Sequence, residues 1–145
     1  MEQTIAGRKL AAAILKNYAD AVHKSDDLIA QYEALENLKQ PSSSQIARMK
    51  ELEQEIPEAV AKDKALKEKV VELLKLPGPD LPPRTLQVFV LRYLNSMEWK
   101  EVTATVYGQR DDFKKDPRRY QNIVFKIHGR GLDIIGAALD KAKMK

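Results

Sequence analysis

Apolar residues recur at alternating intervals of three and four through the first half of this 145-residue chain, and this spacing restricts the segment to long helices. The first forty residues contain no proline, and their apolar stripe consists of Ile14, Tyr18, Ala21, Ser25, Leu28, Tyr32 and Leu35. A second stripe with the same spacing consists of Leu52, Ile56, Ala59, Asp63, Leu66, Val70 and Leu73. The sequence therefore predicts two long helices whose stripes face each other.

The segment between the two stripes ends one helix and begins the next. Pro41 stops the first helix, and the serines at 42–44 can cap the second. Two helices of about thirty residues joined by so short a loop fold back as an antiparallel hairpin about 45 Å long. Pro57 is expected to kink the second helix or to restart it. Asp63 places a charge within its stripe, and Lys24 lies at the right height to pair with it.

A proline-rich segment divides the chain. Four prolines fall within residues 77–83, where they cannot be helical and form a semi-rigid spacer. We expect a hairpin for oligomerisation or partner contact over 1–76 and a second helical unit over 84–145. A two-helix hairpin buries little apolar surface alone, so we expect it to pack on the second unit or on a second copy of the chain.

The second unit is predicted to contain three helices. The first extends over about three turns, and its apolar face carries Leu86, Phe89, Val90 and Tyr93. The second ends at Gly108, and it carries Trp99, Val102 and Val106. The third begins at Asp116-Pro117, a cap followed by a first-position proline, and an interruption is expected around residues 129–131. Trp99, the single tryptophan, is expected to be buried against Phe89, Val102 and Ile127.

Charge is distributed unevenly between the two parts of the chain. Residues 1–80 hold 12 Lys and Arg against 14 Asp and Glu, whereas residues 81–145 hold 13 against 7. A basic C-terminal part predicts a polyanionic partner. The chain has neither a secretory signal pattern nor an apolar run near the roughly 18 residues of a spanning helix, so we expect an intracellular protein with no membrane contact.

The residue types that carry catalysis are scarce in this sequence. The chain has 0 Cys, which excludes disulfides, thiolate zinc sites and cysteine nucleophiles. Its two histidines, His23 and His128, lie in different units and form no Ser-His-Asp or His-x-x-x-His arrangement. Asp111 and Asp112 lack the third carboxylate or histidine that a metal site requires. We therefore expect a protein that is not an enzyme and uses no metal or cofactor.

Three segments carry a resemblance to a known family: Leu91–Leu94, Met97–Val102 and Val124–Leu132. Together they resemble the helix-turn-helix of sigma factor region four, in the version found in small phage regulators of the ArpU and RinA type. The resemblance implies a phage or prophage DNA-binding transcription regulator in the cytoplasm of a bacterial host. In such a regulator we expect the hairpin to mediate homodimerisation or to contact RNA polymerase.

The chain departs from that family in the turn before the recognition helix. Sixteen positions separate Gly108 from Val124, which is about ten more than the family pattern has. The insertion leaves three alternatives open: a longer recognition helix, an added basic finger, or loss of the usual docking in the groove.

A cationic stripe runs along the last predicted helix. At about 100° per residue, Arg119, Asn122, Lys126 and Arg130 share one side, while Tyr120, Ile123, Val124, Ile127 and Gly131 face the core. Arginine and asparagine can read bases, and lysine neutralises phosphate. The expected DNA-binding residues are Arg110, Lys114, Lys115, Arg118, Arg119, Gln121, Asn122, Lys126 and Arg130.

Two alternatives to a transcription regulator remain: a small terminase subunit, or an interaction protein that binds an acidic partner such as RNA polymerase or a host defence factor.

Overall fold

The computed structural model describes residues 2–143 and the side chains of residues 6–142. The described chain is all-α, as the sequence predicts, with helices α1 Glu2–Glu36, α2 Ser43–Lys75, α3 Pro83–Phe89, α4 Trp99–Tyr107 and α5 Pro117–Lys143. A short 3₁₀ turn at Gly78–Asp80 precedes α3, and a π-helical segment over Val90–Leu94 continues it. None of the described helices is both long enough and apolar enough to span a bilayer.

Helices α1 and α2 form the predicted antiparallel hairpin. Ser42 caps α2: the Gln45 amide donates to its hydroxyl at 3.2 Å, and the Ser42 amide donates to Gln45 Oε1 at 2.7 Å. Near the loop, Tyr32 Oη donates a hydrogen bond to Glu53 Oε1 at 3.1 Å. All fourteen residues of the two stripes are buried or half-buried, which confirms the seams.

Two details of the hairpin differ from expectation. Helix α2 continues through Pro57, so the expected restart there is wrong. Pro57 is exposed, and water can therefore bind the Glu53 carbonyl that lacks its usual N–H donor. The expected pair of Lys24 with Asp63 is also wrong, because no described Lys or Arg lies within 4.0 Å of Asp63. Instead, burial and then the charge of Asp63 raise the pKa of Tyr18.

The hairpin packs directly on the C-terminal part of the chain. One hydrophobic cluster combines Leu15 and Val70 of the hairpin with Phe89 and Ile135. The proline-rich segment closes over this cluster, with Leu81 only 6% exposed. Residues 77–83 therefore connect two parts that share a core. The expectation that the prolines of this segment are not helical is wrong, because Pro79 lies in the 3₁₀ turn and Pro83 begins α3.

Helix α5 is continuous through its glycines, so the interruption expected around residues 129–131 is wrong. Gly131 and Gly136 instead permit close packing. A methyl group on Gly131 would lie 2.7 Å from Thr85 Cγ2 and would overlap the ring of Phe89. A methyl group on Gly136 would lie 2.5 Å from the Arg8 amide nitrogen, and one on Gly7 would overlap the Gly136 carbonyl oxygen. The backbones of α1 and α5 therefore cross in contact at Gly7 and Gly136.

Trp99 occupies the edge of the core rather than its centre. It is half-buried and packs beside a second cluster that includes Val102 and Ile127, as expected. Phe89, the third expected neighbour, belongs to the first cluster, where it is fully buried. The centre is available to Phe89 because Gly131 has no side chain, and Trp99 begins α4 at the rim.

The helix crossing predicts opposite effects for two similar substitutions in α5. Gly136→Ala should lower the free energy of unfolding by about 1–3 kcal/mol, the usual cost of overpacking, because its methyl group meets the α1 backbone. Gly129→Ala should raise it by about 0.5–1 kcal/mol, since only the Arg8 guanidinium, at 3.7 Å, faces that position. Urea unfolding of both variants measures the difference. Equal stabilisation by the two substitutions would contradict the close crossing.

Candidate nucleic-acid interface

The N-terminal half of α5 is anchored by a cap and by its apolar side. The Arg119 amide donates to Asp116 Oδ1 at 3.2 Å, and Pro117 begins the helix, as the sequence predicts. Tyr120 and Val124 are buried in the second cluster with Val102, and Ile123 and Ile127 pack against it. This arrangement fixes the rotation of α5 about its axis.

The opposite side of α5 presents a row of exposed polar side chains, which we call the α5 cationic face: Arg118, Arg119, Asn122, Lys126 and Arg130. A shallow cleft of about 460 Å³ is lined by Asp116, Arg118, Arg119, Asn122, Ile123 and Lys126. Arg130 lies one helical turn beyond Lys126. Within the part of the chain that the structure describes, Arg118, Lys126 and Arg130 have no carboxylate within 4.0 Å. The face is therefore a set of largely uncompensated positive charges.

Arg119 differs from the other cations because it is engaged by the protein. Its Nη1 lies 3.6 Å from Asp112 Oδ2, and its guanidinium lies 5.7 Å from the ring centre of Tyr120. Tyr120 Oη also donates a hydrogen bond to Asp112 Oδ1. This hydrogen bond, assisted by the charges of Arg119 and Arg110, lowers the pKa of Asp112, and it raises the pKa of Tyr120. Asp112 therefore holds the loop before α5 in a defined position.

The remaining residues predicted to bind DNA do not join the cleft. Lys114 and Lys115 are exposed in the loop, and Arg110 is exposed over the ring of Tyr107 at 6.0 Å. Gln121 is half-buried on another side of α5. Phe125, beside the cationic face, is 43% exposed and packs edge-on against Trp99, with ring centres 5.3 Å apart.

Two further arginines lie near α5 and were not among the sequence-based candidates. Arg8 of α1 pairs with Asp133 of α5, with Nε 2.9 Å from Oδ1. Arg84 of α3 lies over the ring of Tyr107 at 5.2 Å. Both positions depend on how distant helices pack, and no local pattern in the sequence marks either residue.

His128 lies behind the cationic face in an aromatic cage. Its ring stacks on Phe89, with centres 4.9 Å apart, and meets the Trp99 ring edge-on at 4.8 Å. Its Nε2 lies 2.8 Å from Tyr93 Oη. Burial, and then the charges of Arg8 and Arg92, lower the pKa of His128 to about 4. His128 is therefore a neutral, half-buried residue near pH 7.

The described residues contain no group of three or more His, Asp or Glu side chains that could hold a metal ion. Compared with protein-family models, with curated proteins and with solved structures, the chain matches none of them.

The shifted His128 pKa predicts a pH-dependent stability. Between its ordinary pKa of 6.5 and about 4, the unfolded chain binds more protons at this residue than the folded chain does. The free energy of unfolding should therefore fall as the pH decreases through this range, by up to about 1.4 kcal/mol per pH unit. His128→Phe should lose this contribution, whereas Tyr93→Phe should retain it because burial is the main cause. Urea unfolding at several pH values measures both, and an unchanged slope in His128→Phe would contradict the assignment.

Proposed function

We propose that the protein binds double-stranded DNA through the α5 cationic face and acts as a phage or prophage transcription regulator. The observation that carries the proposal is the line of exposed cations on α5, three of which have no carboxylate within 4.0 Å in the described chain. The resemblance of the C-terminal segments to the sigma region four helix-turn-helix supports the regulatory role. The acidic balance of the hairpin segment concentrates the positive charge on the C-terminal part.

The size and composition of the face suit a duplex. From Arg118 to Arg130 the face extends along about 18 Å of helix, and the major groove of about 12 Å width admits an α-helix. Phosphate contacts supply most of the affinity, and base edges supply sequence information. Asn122, among the cations, has the amide that pairs with adenine. We assign base contact to Asn122 with Arg119, and phosphate contact to Lys126 and Arg130.

The position of Arg119 refines its assigned role. Its contact with Asp112 is exposed, and such pairs contribute little energy. A base or phosphate can therefore replace Asp112 as the partner of Arg119 without a large penalty. In the free protein, Asp112 keeps the side chain beside the cleft.

A second candidate function is binding to an acidic protein, and the observation that favours it is the long connection between α4 and α5. Nine residues, 108–116, connect α4 to α5, whereas a helix-turn-helix usually has a turn of three or four.

Contacts of the hairpin with RNA polymerase or with a second copy would use its outer surface, where Ile46 and Val60 of α2 are both 44% exposed.

A salt titration distinguishes these functions. We expect a labelled mixed-sequence duplex to bind with an affinity that falls steeply with KCl concentration. Lys126→Gln and Arg130→Gln should each flatten the log–log slope by about 0.9, the value for one lost phosphate contact. Lys64→Gln, an equal charge change on the exposed side of α2, should leave the slope unchanged.

The same proteins test for sequence readout when bound duplexes are selected from a random pool. The wild type should enrich a defined site, and Asn122→Ala should relax it at one position, at a cost of about 1–3 kcal/mol. If Lys126→Gln and Arg130→Gln bind the duplex as the wild type does, the cationic face is not the DNA surface. If the wild type binds no duplex, binding to an acidic protein replaces the proposal.

A further inference from the structure

Two arginines outside the α5 cationic face lie around one aromatic ring. The Cζ atoms of Arg84 and Arg110 lie 5.2 Å and 6.0 Å from the ring centre of Tyr107. Arg84 belongs to the first turn of α3, and Arg110 belongs to the connection between α4 and α5. The fold therefore gathers two cations that are 26 positions apart in the sequence. We call this pair, with Tyr107, the arginine anchor.

The connection after α4 holds Arg110 in place. The Arg110 amide donates to the Tyr107 carbonyl at 3.0 Å, and the Phe113 amide donates to the Arg110 carbonyl at 3.1 Å. The Phe113 ring packs against Tyr120, with centres 5.8 Å apart. The inserted residues between α4 and α5 therefore form an ordered turn that fixes the backbone of Arg110, rather than an extended basic finger.

The arginine anchor is continuous with the start of α5. The rings of Tyr107 and Tyr120 lie 5.1 Å apart, both tyrosines are buried, and Arg119 lies over the far ring. Arginines thus flank a two-tyrosine platform on the side of α3 and on the side of α5.

The charges of the arginine anchor are available to a ligand. Both arginines are exposed, and no described carboxylate lies within 4.0 Å of either guanidinium. Of the three aspartates in this connection, Asp112 is occupied by Tyr120 and Arg119, and Asp111 and Asp116 form no ion pair with either arginine. An arginine held over an aromatic ring keeps its planar set of N–H donors free at the edge, which suits bidentate contact with a phosphate.

We propose that Arg84 and Arg110 bind phosphate groups of the same DNA duplex that the α5 cationic face contacts. The inference rests on the proposed function and adds a second contact region, supplied by α3 and by the connection before α5. Contacts of this kind set the register of a protein on the duplex and carry no sequence information directly. The anchor therefore gives the added residues a role in positioning α5 on DNA.

The double variant Arg84→Gln/Arg110→Gln tests the proposal in the full chain. Its log–log slope for a mixed-sequence duplex should be flatter than that of the wild type by about 1.8, corresponding to two lost phosphate contacts. The site that it selects from a random duplex pool should be that of the wild type. The matched control Lys64→Gln/Lys100→Gln removes two exposed lysines and should retain the wild-type slope. Arg84→Lys/Arg110→Lys keeps the charge and should also retain most of the slope.

The possible outcomes separate the anchor from the proposed function. If Lys126→Gln flattens the slope and the anchor variant does not, the anchor is wrong and DNA binding through α5 stands. If the anchor variant selects a different site, its arginines read bases and the phosphate role is wrong. If the folded wild type binds no duplex at all, both proposals fail.

Discussion

The crossing of α1 and α5 at Gly7 and Gly136 holds α5 in place against the hairpin, and the position of the proposed interface depends on it. Their backbones meet there because neither glycine has a side chain to separate them. One turn and a half earlier in α5, Gly131 receives the ring of Phe89 from α3. At about 100° per residue, Gly131 lies on the same side of α5 as Tyr120 and Val124, whereas Gly136 lies about 140° away, so the two contacts hold α5 from different directions. Together with the packing of Tyr120 and Val124, they fix the rotation of α5 that leaves its cations exposed, and the proposed interface depends on this rotation.

The helical stripes and the charge pattern made much of the architecture predictable. The two seams and the cap at Asp116 follow from local spacing, which sequence carries directly. The glycines of α5 were misread because the same residue both ends helices and permits close packing, and only the tertiary partner distinguishes the two uses. Arg8 and Arg84 were missed for a related reason: each reaches its site through the packing of another helix. Trp99 was placed too deep because size alone does not determine which aromatic residue fills a core.

The connection between α4 and α5 is an ordered part of the structure. Its backbone turns are closed by hydrogen bonds, and its aromatic residue joins the tyrosine pair of α4 and α5. Asp112 then couples this connection to α5 through Tyr120 and Arg119. Because these residues pack against the helices, they do not form the added basic finger that was one of the three alternatives. Their long turn differs from that of an ordinary helix-turn-helix, and the arginine anchor is the proposed use of that difference.

Lysine acetylation with and without saturating duplex, followed by mass spectrometry of the full chain, tests the central claim most directly. Lys126 lies on the α5 cationic face, whereas the exposed Lys16 and Lys64 lie on the hairpin. If DNA covers the cationic face, the duplex should slow acetylation of Lys126 while the two hairpin lysines react at unchanged rates. An unchanged rate at Lys126 in the saturated complex would contradict the account.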